Sequence, residues 1–328
     1  MSASVTQYEL NGHPGDAVTK VNFSPVNQFE LLVSSWDSTI RLFDVLNNQS
    51  KMTQTLSGAV LDCCYDSDGS TVYAGGLDRQ VYSIQLARNQ KLELGSHQNA
   101  VSCLAHNAAH QMLVSGSWDQ TIMSIDPRAS SSMPSTTQVN GKVFALDTMD
   151  SSVVLATHTK RIIIYDVRYM NSPIEDRESP FKHQIRAVKI NPANTTAFAV
   201  SATEGRVAIE HFKQSASLQD GTSAATPEPK KFAFKCHRKG NICYPVNALA
   251  FTNQGMLATG GSDRIMSWWD LKKKKKIMST SPYSAPISSI GFNNTGQVAA
   301  IASSFTMEDG EEDATVETNN IIIRFSQA

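Results

Sequence analysis

The side chains of this sequence that are equipped for chemistry suit recognition rather than bond-breaking. Arg206 follows an acidic turn, Glu204-Gly205; Arg186 lies upstream in HQIRAV, and Lys235 downstream in KKFAFKCHR. A guanidinium grips a phosphate or carboxylate with two parallel donors, and a neighbouring ammonium adds a point charge. Trp36 and Trp118 sit in the matching contexts SSWD and GSWD, and exposed indoles anchor partner segments because they offer large area at low entropic cost. Catalytic constellations do not emerge. There is no Gly-rich phosphate loop, no metal-ligand spacing and no Ser-His-Asp set with local support. Cys236, His237 and Cys243 supply only three ligands, at a spacing that fits no zinc pattern. The expectation is a protein that is not an enzyme, with no cofactor and no metal.

The elements that must position these residues are written as a repeat. SSWDSTIRLFDV (34–45), AGGLDRQVYSIQL (74–86), SGSWDQTIMSIDPR (115–128), ATHTKRIIIYDVR (156–168), SATEGRVAIEHF (201–212), TGGSDRIMSWWDL (259–271) and TNNIIIRF (318–325) each run from small residues through a turn into an apolar strand. The closing positions Asp44, Gln85, Asp126 and Asp166 are 41, 41 and 40 residues apart. That is the period of a WD-repeat blade, and seven such units predict an all-β, seven-bladed β-propeller over residues 1–328. The strands after the turns are apolar on both faces (IRLF, IIIY, VAI), as expected where each sheet is sandwiched between neighbours. Residues 5–10 (VTQYEL) precede the first repeat and are expected to add a strand to the last blade, closing its open edge. The intervals from His211 to Asp270 and from Asp270 to Phe325 stretch to 59 and 55 residues. A polar, Ser/Thr/Pro-containing excursion at 213–230 and an acidic one at 306–319 account for both, and are expected to be mobile loops.

Composition narrows the function. A formal charge of −1 over 328 residues excludes a globally basic nucleic-acid binder, so no direct nucleic-acid partner is expected. No apolar run reaches membrane-spanning length, and MSASVTQYEL lacks the features of a secretory signal. Five cysteines, mostly in strand-like contexts, read as buried reduced thiols of a cytosolic or nuclear protein.

Aligning the turns by slot sharpens the site. The residue before the turn acid is Trp36, Leu77, Trp118, His158, Thr203 and Ser262 in repeats one to six, where a small polar residue is usual. Both indoles must therefore project from one face of the disc. They either cover their own blade edges or form paired anchors for a crossing segment. Arg206 follows the blade-five turn, Arg186 begins the first strand of that blade and Lys235 ends the strand leading out of it, so the three are expected to converge on that same face, with Glu204 as a tether for one of them. They are either scattered surface ion pairs or an anion site. His97 and His237 occupy the loop position that braces a turn acid from within, with Asp119 as the partner of His97. Lys272–Lys276 lies at a hairpin turn on the opposite face, which is either solvated or bound to an anionic partner or import factor.

SSWDSTIRLFDV, GAVLDC, GGLDRQV, SGSWDQT with DPR, RESPFKHQIR, EGRVAIE, KKFAFKCHR, YPVNALAF and AIASS together resemble the spindle-checkpoint WD-repeat proteins of the third Bub type (budding uninhibited by benzimidazoles). The resemblance runs over nearly the whole chain. It implies a mitotic adaptor that binds phosphorylated Met-Glu-Leu-Thr repeats of an outer-kinetochore scaffold. It also implies binding of GLEBS motifs in a checkpoint kinase and its kinase-like relative, and a place in the assembly that inhibits the anaphase-promoting complex. By resemblance, Arg206 and Lys235 match phosphothreonine contacts, while Trp36, Trp118 and Arg186 match the GLEBS-binding positions. The implied location is the nucleus and, in mitosis, the kinetochore, with a cytoplasmic pool. The third repeat departs from the pattern by ending MSID, and loops 213–230 and 306–319 have no counterpart. A related alternative is the nucleoporin-binding mRNA-export paralogue at nuclear pores, which shares the fold and the GLEBS partner class.

Overall fold

Each repeat folds into a four-stranded antiparallel sheet, and seven sheets stand around a central channel. The computed structural model describes residues 6–129, 134–213, 231–306 and 319–325. Blade one runs Val18–Phe23, Glu30–Ser35, Thr39–Asp44 and Gln49–Thr55 from the channel outward. Blade five runs Ile185–Ile190, Ala197–Ala202, Arg206–His211 and Phe232–Lys235. Blade seven takes its outer strand from the chain start: Thr6–Glu9 pairs antiparallel with Asn320–Phe325, Thr6 opposite Phe325. The expected closure is thus present, and the last sheet has no missing strand.

The doubly apolar strands are buried as their sequences require. Ile162, Ile163, Ile164 and Tyr165 are all at most 3 % exposed. Seven apolar clusters form, one at each junction between neighbouring blades, such as Val18, Val21 and Leu31 against Val298, Ile321 and Ile323 where the ring closes. Each buried aliphatic side chain contributes about 1.5–3 kcal/mol relative to exposure, so the junctions hold the ring without any covalent link. Cys63, Cys64, Cys103 and Cys236 lie buried as free thiols, and only Cys243 is exposed. Burial pushes the Cys63, Cys103 and Cys236 thiols up to about 12, which makes them poor nucleophiles.

One feature recurs in every blade. The inner strand carries a β-bulge at its second residue: Thr19, Leu61, Ser102, Phe144, Arg186, Asn247 and Ser288. A bulge re-aims the extra side chain, and all seven of these residues line the channel. The hydroxyl members bond forward to the next blade: Thr19 Oγ1 to Val60 O (2.8 Å), Ser102 Oγ to Val143 O (2.6 Å) and Ser288 Oγ to Val18 O (2.6 Å). Arg186 is the one charged member of this ring.

Candidate functional site

The turns joining second and third strands all open on one face. Their third residue is left-handed in six blades: Ser38, Arg79, Gln120, Lys160, Gly205 and Arg264, with φ of 62–71°. The shared geometry puts Trp36 and Trp118 in equivalent positions, both half-buried, with their backbone amides tied to Ala17 O and Ala100 O. Chain segments linking one blade to the next cross this same face, as do the bulged starts of the inner strands.

In blade five the outer two strands set Arg206 directly opposite Lys235. Directly opposed residues of an antiparallel pair project from the same side of the sheet with Cβ atoms about 4.5–5.5 Å apart. Arg206 is half-exposed and Lys235 exposed. The Arg206 guanidinium lies 3.6 Å from Glu204 Oε1, and His183 Nε2 lies 4.0 Å from Glu204 Oε2. Yet Arg206 Nε and Glu204 Oε1, both shielded from solvent, have no hydrogen-bond partner. A shielded guanidinium N–H with no acceptor is costly; the accessible end of Arg206 and the exposed Lys235 are the groups an incoming anion would meet.

Sequence reasoning missed a wall of this site. A short hairpin, Arg238–Lys239 with Ile242–Cys243, rises between blades five and six. From it Arg238 donates to Glu204 O (2.7 Å) and Gly205 O (3.2 Å), fixing the turn below Arg206. Gly205 is the left-handed residue there, and a Cβ would stand 2.8 Å from Cys236 O, so the turn tolerates little else. The run KCHRKG already shows a second basic residue beyond Lys235. Asking what satisfies the turn carbonyls would have pointed to it.

Arg186 is set apart from that pair. As the bulge residue of its strand it faces the channel mouth, where its Nε donates to Asn247 Oδ1 (3.2 Å). There it lines a hollow of about 280 Å³ together with Trp36, Ser288 and Phe305. The structure therefore separates two stations on one face: Arg206 with Lys235 on the outer strands of blade five, and Trp36 with Arg186 over the channel. Trp118 shares the face but lies two blades from Trp36, outside that hollow.

The two bracing histidines are closed off instead. His97 Nδ1–H points to Asp119 Oδ2 (3.1 Å) while the Ser115 hydroxyl donates to Nε2 (2.8 Å). His237 Nδ1–H donates to Asp263 (2.8 Å), Thr259 donates to Nε2 (2.7 Å), and the Trp269 indole N–H donates to Thr259 Oγ1 (3.0 Å). His237 is thereby committed, and no cluster of three or more His, Cys, Asp or Glu residues suited to a metal occurs among the described residues. Among the described residues no helix is long and apolar enough to cross a membrane.

Comparison with known proteins places this geometry. The model of the WD domain, G-beta repeat, matches residues 4–44, and that of the nucleolar protein 10-like N-terminal domain matches residues 56–231. Mitotic checkpoint protein BUB3.1 of Arabidopsis thaliana is 40% identical over 314 residues, covering 93% of this chain and 88% of its own. Mitotic checkpoint protein bub3 of Dictyostelium discoideum is 35% identical, over 93% of this chain and 91% of its own. The chain belongs to the Bub3 family of WD-repeat proteins. Protein Rae1 of Drosophila melanogaster is 33% identical over 94% of this chain and 90% of its own, and mRNA export factor GLE2 of Chaetomium thermophilum is 29% identical over 94% of this chain and 86% of its own. The nucleolar model covers blades two to four and part of blade five, a propeller likeness that stops short of the blade-five outer strand and of ring closure.

Proposed function

We propose that this Bub3-family chain is a non-enzymatic spindle-checkpoint adaptor that clasps short linear segments of its partners on one face of the ring. Arg206 and Lys235 receive the phosphothreonine of Met-Glu-Leu-Thr-type repeats on an outer-kinetochore scaffold. Trp36 and Arg186, with Trp118 farther along the face, receive the acidic GLEBS segment of a checkpoint kinase and its kinase-like relative. Both engagements bring those proteins to unattached kinetochores, and the assembled platform feeds the complex that restrains the anaphase-promoting complex. The protein acts in the nucleus and at mitotic kinetochores, with a cytoplasmic pool.

The observation that carries this reading is the accessible cross-strand pair Arg206–Lys235 on the same face as the Trp36–Arg186 hollow. A phosphothreonine brings about −1.5 to −2 charge and three acceptor oxygens, whereas a plain threonine offers these cations almost nothing. Calorimetry with one Met-Glu-Leu-Thr peptide in phosphorylated and plain forms is the test. Binding of the phosphorylated form alone is expected, and equal binding of both would refute the reading.

The likeness to an mRNA export factor makes mRNA export at nuclear pores the competing assignment. Affinity capture from mitotic cells distinguishes them: kinetochore scaffold and checkpoint kinase in the eluate support the adaptor, and nucleoporins alone support export.

A further inference from the structure

Away from both stations, on the opposite side of the ring, blade six ends its third strand, Met266–Asp270, in a turn that leads into the outer strand Lys275–Ser279. The turn and the start of that strand hold Lys272, Lys273, Lys274, Lys275 and Lys276, all exposed. Only Lys273 has a carboxylate partner among the described residues, Asp270 at 3.8 Å. Five adjacent like charges repel one another, and in a chain of net charge −1 they form a local positive field rather than part of a general one.

Against this turn lies an apolar cleft. Phe232 and Phe234 of the blade-five outer strand face Trp269 and Leu271 of blade six, with Lys274 and Lys275 at the rim, enclosing about 210 Å³. Phe234 and Trp269 pack with ring centroids 4.5 Å apart, and Lys274 Nζ stands 4.5 Å from the centre of the Phe232 ring. The Trp269 N–H is already committed to Thr259, so the cleft presents ring surface and not a donor. Its volume falls below the roughly 300–1,000 Å³ of small-molecule sites and suits a single large side chain. The outer strand beside it leaves Ile277 and Met278 exposed at 51% and 41%.

We propose that this cleft and lysine turn form a second docking surface, whose occupant is an acidic linear segment of a partner protein carrying one aromatic or large aliphatic anchor. The anchor fills the Phe232–Phe234–Trp269 cleft and the flanking carboxylates meet Lys272, Lys275 and Lys276. Backbone geometry disfavours the alternative of an import signal read as an extended basic stretch. Lys274 is held left-handed at φ 53°, and Lys275 and Lys276 are paired in the sheet opposite Asp270 and Trp269.

The probe is a short fluorescent peptide with one central Trp flanked on each side by three acidic residues, titrated into the full, untagged chain at low and moderate salt. A Lys272→Glu/Lys275→Glu variant, altered only at exposed positions, should lose about tenfold in affinity. Replacing the peptide Trp by Ala should cost about thirtyfold. The Arg206→Ala/Lys235→Ala protein should bind this peptide as well as the parent does, which separates this surface from the phosphopeptide station. Chemical-shift changes at the Trp269 indole should accompany binding. No binding at millimolar peptide, binding indifferent to the Trp, equal binding of a plain RNA homopolymer, or loss in the Arg206→Ala/Lys235→Ala protein would each overturn the proposal.

Discussion

Blades three and six carry a turn acid whose surroundings are complete, whereas blade five carries one whose surroundings are not. Asp119 and Asp263 each receive a buried imidazole N–H, and a hydroxyl satisfies the other ring nitrogen. Glu204 holds the equivalent slot in blade five, but no histidine lies beneath it. Its neighbours are the exposed His183 at 4.0 Å and Arg206 at 3.6 Å, and both Glu204 Oε1 and Arg206 Nε lack a hydrogen-bond partner. The same backbone turn thus serves as an internal brace in two blades and as an open, charged station in the third. What separates bracing from binding is whether the polar atoms of the turn find partners inside the chain.

The largest expected effect tests the open station. Each charge-assisted hydrogen bond contributes about 1.5–3 kcal/mol, so Arg206→Ala/Lys235→Ala should weaken phosphopeptide binding by about two to four decades if the terms add. Calorimetry measures this, and an unchanged thermal midpoint in the same protein would show that the pair does not brace the blade. The complementary change is His237→Ala. It removes the imidazole bonded to both Asp263 and Thr259, leaves a cavity between them, and should cost about 2–4 kcal/mol of stability by chemical denaturation. Full stability in that variant would break the distinction between closed and open turns.

A smaller effect is expected at Trp36. Its indole is half-buried at the rim of the hollow, so Trp36→Ala should weaken a GLEBS-type acidic peptide by about 2 kcal/mol while leaving the blade-five phosphopeptide site intact. Retained affinity would assign the ring to covering its own blade edge.

The smallest effect is a pH dependence. Burial, outweighing the attraction of Asp119, holds the His97 imidazole below its ordinary value. The unfolded chain therefore takes up the proton more readily than the folded one. The contribution of His97 to stability is full above about pH 6.5 and is lost as pH falls toward the lower folded value. His106 and His211, also lowered by burial, act in the same direction. Thermal midpoints should fall between pH 7 and 5, and His97→Gln should flatten part of that slope. An identical slope in parent and variant would remove His97 as a contributor.

The ring itself was legible in the amino-acid order because a repeated strand buried on both faces leaves a continuous apolar run, and because its spacing survives where individual residues vary. The braces were legible too: His97 and His237 fall at fixed places relative to their turn acids. The bulge ring was not, since an extra residue in a strand is a matter of backbone register that no side-chain type marks. For that reason Arg186 reads in sequence as a neighbour of Arg206, while in the structure it belongs to the channel mouth. The Arg238 hairpin escaped notice because its role is to cap carbonyl oxygens, and carbonyls are invisible in a string of side chains. The loops expected at 213–230 and 306–319 lie almost wholly outside the described residues.

The pairing of Thr6 with Phe325 has a practical bearing on any partner or label joined to this molecule. The paired positions Thr6 and Phe325 lie at the rim opposite the indoles and the blade-five cations, so cargo attached there hangs beneath the platform and leaves its upper deck clear. The lysine turn of blade six, next door to that seam, is the place where such an appendage would intrude.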